Sequence, residues 1–144
     1  EQKIAPAIFP DADFDHEIMQ EEIFGPLLPI ISYRNLNNVI QTLKVKEKPL
    51  ACYVFTQKKA TAHKIIHEVS YGGGCINDVV IHISNHNLPF GGIGNSGIGS
   101  YHGNYSFETF SHKKSIVKSN GKFDIPFRYA PYGTLKYHLL KKLL

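Results

Sequence analysis

The chain has 144 residues, a formal net charge of +4, 42% hydrophobic residues and 19% charged ones. That balance excludes a disordered chain and suits one globular domain burying about 70% of its unfolded surface. The basic residues are spread out and accompany no RNA- or DNA-binding motif, so no nucleic-acid partner is expected.

Two cysteines, Cys52 and Cys75, are too few for a disulfide scaffold and too far apart for a zinc motif, so a reducing, cytoplasmic setting is the expectation. No apolar run reaches the roughly 18 residues of a membrane span. The first residues lead into no apolar signal stretch. The chain opens in mid-pattern with Ile4-Ala5-Pro6-Ala7-Ile8-Phe9, and its single methionine is Met19. A piece of a longer protein is therefore expected; a processed domain or trimmed ends are the alternatives.

In chain order, residues 4–9 predict a short edge strand with Pro6 inside it. An acidic loop follows at 11–15, and Asp15 is a candidate cap for a turn through Met19. Gly25-Pro26 marks a break. Residues 27–33 form an apolar run of strand length, read as a buried strand near a sheet edge at Pro29. Leu36, Val39, Ile40 and Leu43 fall at i, i+3, i+4 and i+7, the apolar face of a helix over about 35–45. Lys48-Pro49 follows it. Residues 50–55 predict a second strand, with Thr56 as N-cap of the next helix. In that helix Ala62, Ile65, Ile66 and Val69 repeat the spacing. Gly72-Gly73-Gly74 is read as its stop, and 75–77 as a third strand. Strand, helix, strand, helix, strand with short links predicts an α/β fold built on a parallel βαβ sheet.

The stretch 88–103 is the most specific in the chain. Six of its first twelve residues are glycine or proline, among the rings of Phe90, Tyr101 and His102. It predicts a loop whose backbone comes close to something. Gly92-x-Gly94-x-x-Gly97 formally matches the dinucleotide fingerprint. It lacks the strand before, the helix after and the acid about 20 residues on, so it is set aside. His63 and His67, and His82 and His86, have helical spacing, but no cysteine or carboxylate pattern completes a metal site. Cys52 reads as core and Cys75 as the more accessible thiol, with no base beside it in sequence. Asn104-Tyr105-Ser106 matches a glycosylation acceptor pattern, without a secretion signal to use it.

Glu22 and Phe24 lie two residues apart at a rigid Gly25-Pro26 turn. Either they are a surface acid and a core ring, or they clamp a ligand, the carboxylate on ribose hydroxyls and the ring on a planar base. Beyond 103, residues 107–112 lead into 113–118, which resembles an exposed strand. Asn120-Gly121 predicts a turn, and 134–144 a short helix. On that helix Leu135, Leu139, Leu140, Leu143 and Leu144 face one side and His138, Lys141 and Lys142 the other.

Glu21-Glu22-Ile23-Phe24-Gly25-Pro26 resembles the E-E-I-F-G-P motif of the aldehyde dehydrogenase superfamily. Leu88-Pro89-Phe90-Gly91-Gly92 resembles its P-F-G-G segment. The longer string through Gly103, with Ser106-Phe107-Glu108-Thr109-Phe110-Ser111-His112, is similar to the class 3 branch, which includes fatty aldehyde dehydrogenases. The resemblance covers the chain up to about Lys118.

It implies oxidation of an aldehyde to an acid with NAD or NADP, through a thioester on a cysteine and a glutamate that activates water. By position, it implies that Glu22 binds the nicotinamide ribose and Phe24 the nicotinamide end. Val80, Ile83, Phe90 and His102 would line the substrate pocket, and Asn77 would lie in the strand supporting that wall. The family's nucleophile motif, general base and main dinucleotide-binding domain are upstream elements absent here. No catalytic residue and no metal ligand is therefore assigned to this chain, and alone it is expected to be inactive.

The implied division is 1–103 as the C-terminal part of the catalytic domain, 104–119 as an oligomerisation segment and 120–144 as a tail with a short basic amphipathic helix. A homodimer through 107–118 is implied. The tail helix is read as a lid, as a contact with a membrane surface, or as a helix packed on its own domain. The alternative function is a non-catalytic oligomerisation or binding module derived from the same fold.

Overall fold

The computed structural model describes residues 3–122, 124 and 126–143. The chain divides into two compact units, one running to Ser111 and the other starting at His112.

In the first unit β1 (Ala7–Phe9) and β2 (Leu27–Pro29) pair in parallel, Ala7 opposite Leu27 and Phe9 opposite Pro29. A second parallel pair joins β3 (Ala51–Val54) to β4 (Gly73–Ile76), with Ala51 opposite Gly73 and Val54 opposite Ile76. Two helices accompany them, α1 (Leu36–Val45) and α2 (Lys59–Glu68). The α/β class stands, and β3–α2–β4 is the βαβ unit it rests on. The single continuous run of three strands does not form: β2 pairs with β1, not with β3. Pro29 has no N–H to give a ladder, and the short strand is held at its ends, where Ala7 N donates to Pro26 O (2.9 Å) and Ile30 N to Phe9 O (2.9 Å). Nor is 27–33 a buried strand, since Leu28, Ile30 and Tyr33 are exposed.

The α1 helix starts where Asn35 Oδ1 accepts from Asn37 N (2.9 Å), satisfying one of the unpaired donors of a helix start. It ends at Lys46, already extended, ahead of Pro49. Its apolar stripe buries Ile40. With Val54, Ala62 and Val69 this makes the buried apolar core among the described residues. Full burial of an Ile or Val contributes about 1.5–3 kcal/mol, so the βαβ unit and α1 carry most of this unit's stability. A Lys44–Glu68 ion pair (2.7 Å) ties α1 to α2.

Two boundaries differ from the sequence reading. Thr56 is not the N-cap of α2, which begins after Lys58; Thr56 Oγ1 instead accepts from Lys58 N (3.1 Å) in the turn before it. The glycine triplet is not a helix stop. The helix ends at Glu68, and Gly73 and Gly74 are strand residues. The strands lie so close that a Cβ on Gly74 would meet the Cys52 carbonyl.

A helix that the pattern did not predict, α3 (Gly103–Thr109), follows the glycine-rich loop. In the second unit the expected strand at 113–118 is not formed. Residues 112–120 have no regular structure, with Ile116 and Val117 exposed. A strand's hydrogen bonds are non-local, and among the described residues no strand pairs with this segment. Tyr129 OH donates to Asp124 Oδ2 (2.7 Å), and Lys136 Nζ to Tyr129 O (3.2 Å). The predicted tail helix is present as α4 (Thr134–Leu143). Leu144, the last leucine of its apolar side, lies outside the described residues. No helix among the described residues is long and apolar enough to cross a membrane.

Candidate functional site

The 88–103 loop closes on itself. Phe90 N donates to Tyr101 O (3.0 Å) and Tyr101 N to Phe90 O (2.9 Å), an antiparallel bridge across its neck. Its glycines serve contacts of backbone with backbone: a Cβ on Gly91 would meet the Gly99 carbonyl, and one on Gly92 the Ser96 carbonyl. The tip is a 3₁₀ turn, Gly94–Ser96, pinned where Ile93 N donates to Ser96 Oγ (2.9 Å). Thr109 Oγ1, on α3, donates to Ser100 O (2.6 Å) and ties down the returning arm. Within this chain the loop backbone approaches itself and, at Gly91 and Gly92, the backbone of Gly72.

At the neck sits an aromatic cluster. His102 is buried, at 8% exposure, in a chain that buries few side chains. Its Nδ1–H donates to Leu88 O (3.1 Å), a carbonyl that can only accept. Ring centroids lie 4.5 Å away at Tyr101, 5.0 Å at His86 and 6.1 Å at Phe90. Backbone φ is +99° at His102, and its N–H donates to Ser106 Oγ (3.1 Å). Phe90 is half-buried and also faces His82, at 5.8 Å.

Val80 and Ile83 belong to the 3₁₀ turn around Ile81–Ser84, where Ile83 N donates to Val80 O (2.9 Å). His82, in the same turn, links them to Phe90. Val80 is half exposed and has φ of +62°, a conformation rare for a β-branched residue. Asn77, just past β4, bonds Thr56 in both directions. Its Oδ1 accepts from Thr56 N (2.8 Å), and its Nδ2 donates to Thr56 O (3.0 Å). That amide clamp fixes the start of the segment carrying Val80.

Glu22 and Phe24 lie elsewhere. They line one cleft of about 460 Å³ with Glu47, Lys48, Pro49, Leu50, Asn95 and Ser96. Phe24 is 93% exposed, so its ring is presented rather than packed, against the core-ring reading. Asn95 Nδ2 donates to Glu47 Oε1 (2.8 Å), which fastens the loop tip to the far side of this cleft. The glycine-rich loop therefore joins the two clusters, its neck holding Phe90 and His102 and its tip walling the Glu22–Phe24 cleft. Asn95, Glu47 and Lys48 were missed in the sequence, and only the asparagine among glycines gave a signal.

A carboxylate and a presented aromatic ring sharing one cleft fit a ligand with vicinal hydroxyls and a planar base. Neither cysteine lies on this cleft. Burial pushes the Cys52 thiol up, and burial followed by the nearby Cys52 pushes Tyr71 up. Among the described residues no three of His, Cys, Asp and Glu gather as a metal site; His63 and His67 stack side by side at 6.1 Å on α2.

The family model of the aldehyde dehydrogenase family matches residues 1–116. The chain belongs to the aldehyde dehydrogenase family. It is 48% identical over 142 residues to aldehyde dehydrogenase family 3 member I1, chloroplastic, of Arabidopsis thaliana, covering 99% of this chain and 26% of that protein. It is 55% identical over 114 residues to the dimeric NADP-preferring aldehyde dehydrogenase of Bos taurus, covering 79% of this chain and 48% of that sequence. The solved structure of the substrate-bound state of Staphylococcus aureus AldH superposes with a TM-score of 0.78 at 41% identity, covering 98% of this chain and 31% of that one. These likenesses are to the class 3 branch. The chain spans about a quarter to a half of the length of these relatives. In this aldehyde dehydrogenase chain both clusters fall inside the family match. The tail beyond 116 lies outside it, yet the Arabidopsis relative aligns across the tail as well.

Proposed function

We propose that the chain is a portion of an NAD- or NADP-dependent enzyme that oxidises an aldehyde, of fatty type, to the carboxylic acid. The reading rests on one observation above all: a single loop joins a carboxylate-and-ring cleft to an aromatic, half-apolar wall.

When bound, the dinucleotide supplies the hydride acceptor. Glu22 accepts hydrogen bonds from the nicotinamide ribose hydroxyls, and Phe24 lays its ring against the nicotinamide end. Phe90, Val80 and Ile83 give the aldehyde an apolar wall that keeps water from its carbonyl carbon. His102 holds the outer part of that wall through the Leu88 carbonyl. The nucleophilic cysteine, which carries the acyl group as a thioester, and the general base belong to other parts of the full-length protein. This chain alone turns over no aldehyde. The test is aldehyde-dependent reduction of NAD or NADP by the full-length protein and by this chain, followed by absorbance of the reduced nicotinamide. Turnover by the isolated chain, or none by the full-length protein, overturns the reading.

Residues 104–119 are assigned to oligomerisation. The exposure of Ile116 (76%) and Val117 (96%) supports a homodimer in which 107–118 gains a strand partner, and also supports the second reading, a non-catalytic assembly module. Sedimentation of the full-length protein with Val117→Lys separates these readings. Loss of the dimer with loss of activity favours the enzyme, and loss of the dimer from a protein that never had activity favours the module. Two cysteines outside any disulfide support a cytoplasmic setting. The exposed Leu135 of α4, on a helix that also carries Lys141 and Lys142, supports peripheral contact with an anionic membrane or a lid over the aldehyde entrance. Deleting 134–144 changes vesicle partition in the first case and chain-length preference in the second.

A further inference from the structure

The thiol of Cys75 is not used by the reading above, and its surroundings differ from those of Cys52. Cys75 lies in β4, and its Sγ is 3.5 Å from Nδ1 of His82. The His82 ring is fixed edge-on by Tyr53 at 5.8 Å and faces Phe90 at 5.8 Å. Its Nε2 is buried and has no hydrogen-bond partner among the described residues, so the thiol is the polar group this ring faces. A cavity of about 320 Å³ lined by Val54, Ile66, Tyr71, Gly74 and Ile76 lies on the other face of β4, so a reagent reaches the thiol from the His82 side. An imidazole nitrogen against a thiol is the arrangement that removes the thiol proton as the sulfur attacks. Cys52, one strand away, has burial acting against its thiolate and no imidazole against its sulfur among the described residues.

We propose that Cys75 and His82 form a covalent modification site for small electron-poor alkenes, the α,β-unsaturated aldehydes in particular. His82 Nδ1 takes the thiol proton while Sγ adds to the β-carbon. The S–C bond forms, the C=C π bond opens, and the proton passes to the α-carbon. The product is a thioether; nothing is oxidised and no group leaves. The site rests on the Cys75–His82 geometry alone, whereas the choice of unsaturated aldehydes rests on the aldehyde reading.

The experiment treats the full-length protein with N-ethylmaleimide and, separately, with acrolein. Mass spectrometry of the peptides bearing Cys75 and Cys52 follows each rate. Cys75 is expected to label faster than Cys52 by about tenfold or more, and His82→Gln to slow Cys75 by a similar factor without changing Cys52. Equal rates at the two cysteines in the unaltered protein overturn the site, whether or not the variant folds. So does an unchanged Cys75 rate in a folded His82→Gln protein. Maleimide labelling without acrolein labelling upholds the site and overturns the aldehyde class. Both labels on a protein that oxidises no aldehyde uphold the site and overturn the enzyme reading.

Discussion

Phe24 leaves 93% of its surface to solvent, while His102 leaves 8%. The two side chains belong to clusters joined by one loop, and they are prepared in different ways. His102 is held by the Leu88 carbonyl, by Tyr101, Phe90 and His86, and by its own backbone at the start of α3. Its position is set before anything binds. Phe24 and Glu22 instead line an open cleft, Phe24 with its ring presented to solvent. On the proposed reading, a wall that must keep its shape is built into the fold, and a clamp that must close on a cofactor is left for the cofactor to complete.

That contrast can be broken at its shared element. Gly92→Ala places a methyl group against the Ser96 carbonyl at the loop tip. The expected loss is above about 4 kcal/mol, with the cleft and the neck failing together in chemical denaturation. A variant of ordinary stability shows that the tip moves independently of the neck. Next in size is Glu22→Gln. It removes a charged acceptor worth about 1.5–3 kcal/mol to a hydroxyl pair, so the KM for the dinucleotide in the full-length enzyme rises about ten- to a hundredfold while Tm stays put. A fall in Tm with an unchanged KM assigns Glu22 to the fold instead.

At His102 the ring and the backbone can be separated. His102→Ala loses the bond to Leu88 and keeps the left-handed backbone, whereas His102→Gly loses the same bond but relieves that conformation. The glycine variant is expected to be more stable than the alanine variant by about 1 kcal/mol, read from denaturant midpoints. Both should raise the KM for long aldehydes more than that for the dinucleotide.

The smallest effect concerns neither cluster and serves as their baseline. The Lys44 hydrogen bond holds the Glu68 carboxyl below the ordinary glutamate range. A folded value below the unfolded one gives stability that is present above the unfolded pKa and is lost as pH falls through the folded value. The pair is exposed, so the acid-side slope it adds to Tm is slight and fades with salt. Lys44→Met should flatten that slope without touching either cluster.

The residues explain what was legible in advance. Local pattern carried α1, α2, β3, β4 and α4, because Ile40, Ala62 and Val69 sit where helical spacing puts them and Val54 where a strand ends. It misled where the deciding partner is distant in sequence. The pairing of β2 with β1, the missing ladder at 113–118 and the strand role of Gly73 and Gly74 all depend on what lies alongside. The helix α3 was hidden by the glycine that opens it and by the rings inside it. For the site, the resemblance named Glu22, Phe24, Phe90 and His102. It gave no hint that Asn95 at the loop tip reaches the first pair, since only the folded loop brings Glu47 within 2.8 Å of it.

The backbone at Val80 has one more consequence. A β-branched residue held at φ +62° carries roughly 1–3 kcal/mol of unfavourable conformation that the neighbouring Asn77 clamp and the 81–84 turn must overcome. Selection for thermal robustness alone would replace it with glycine or asparagine. On the proposed reading, valine here gives the aldehyde wall an apolar surface that glycine or asparagine would not. Directed evolution of the full-length protein for heat tolerance should therefore accumulate changes at Val80 early and lose aldehyde discrimination as it does.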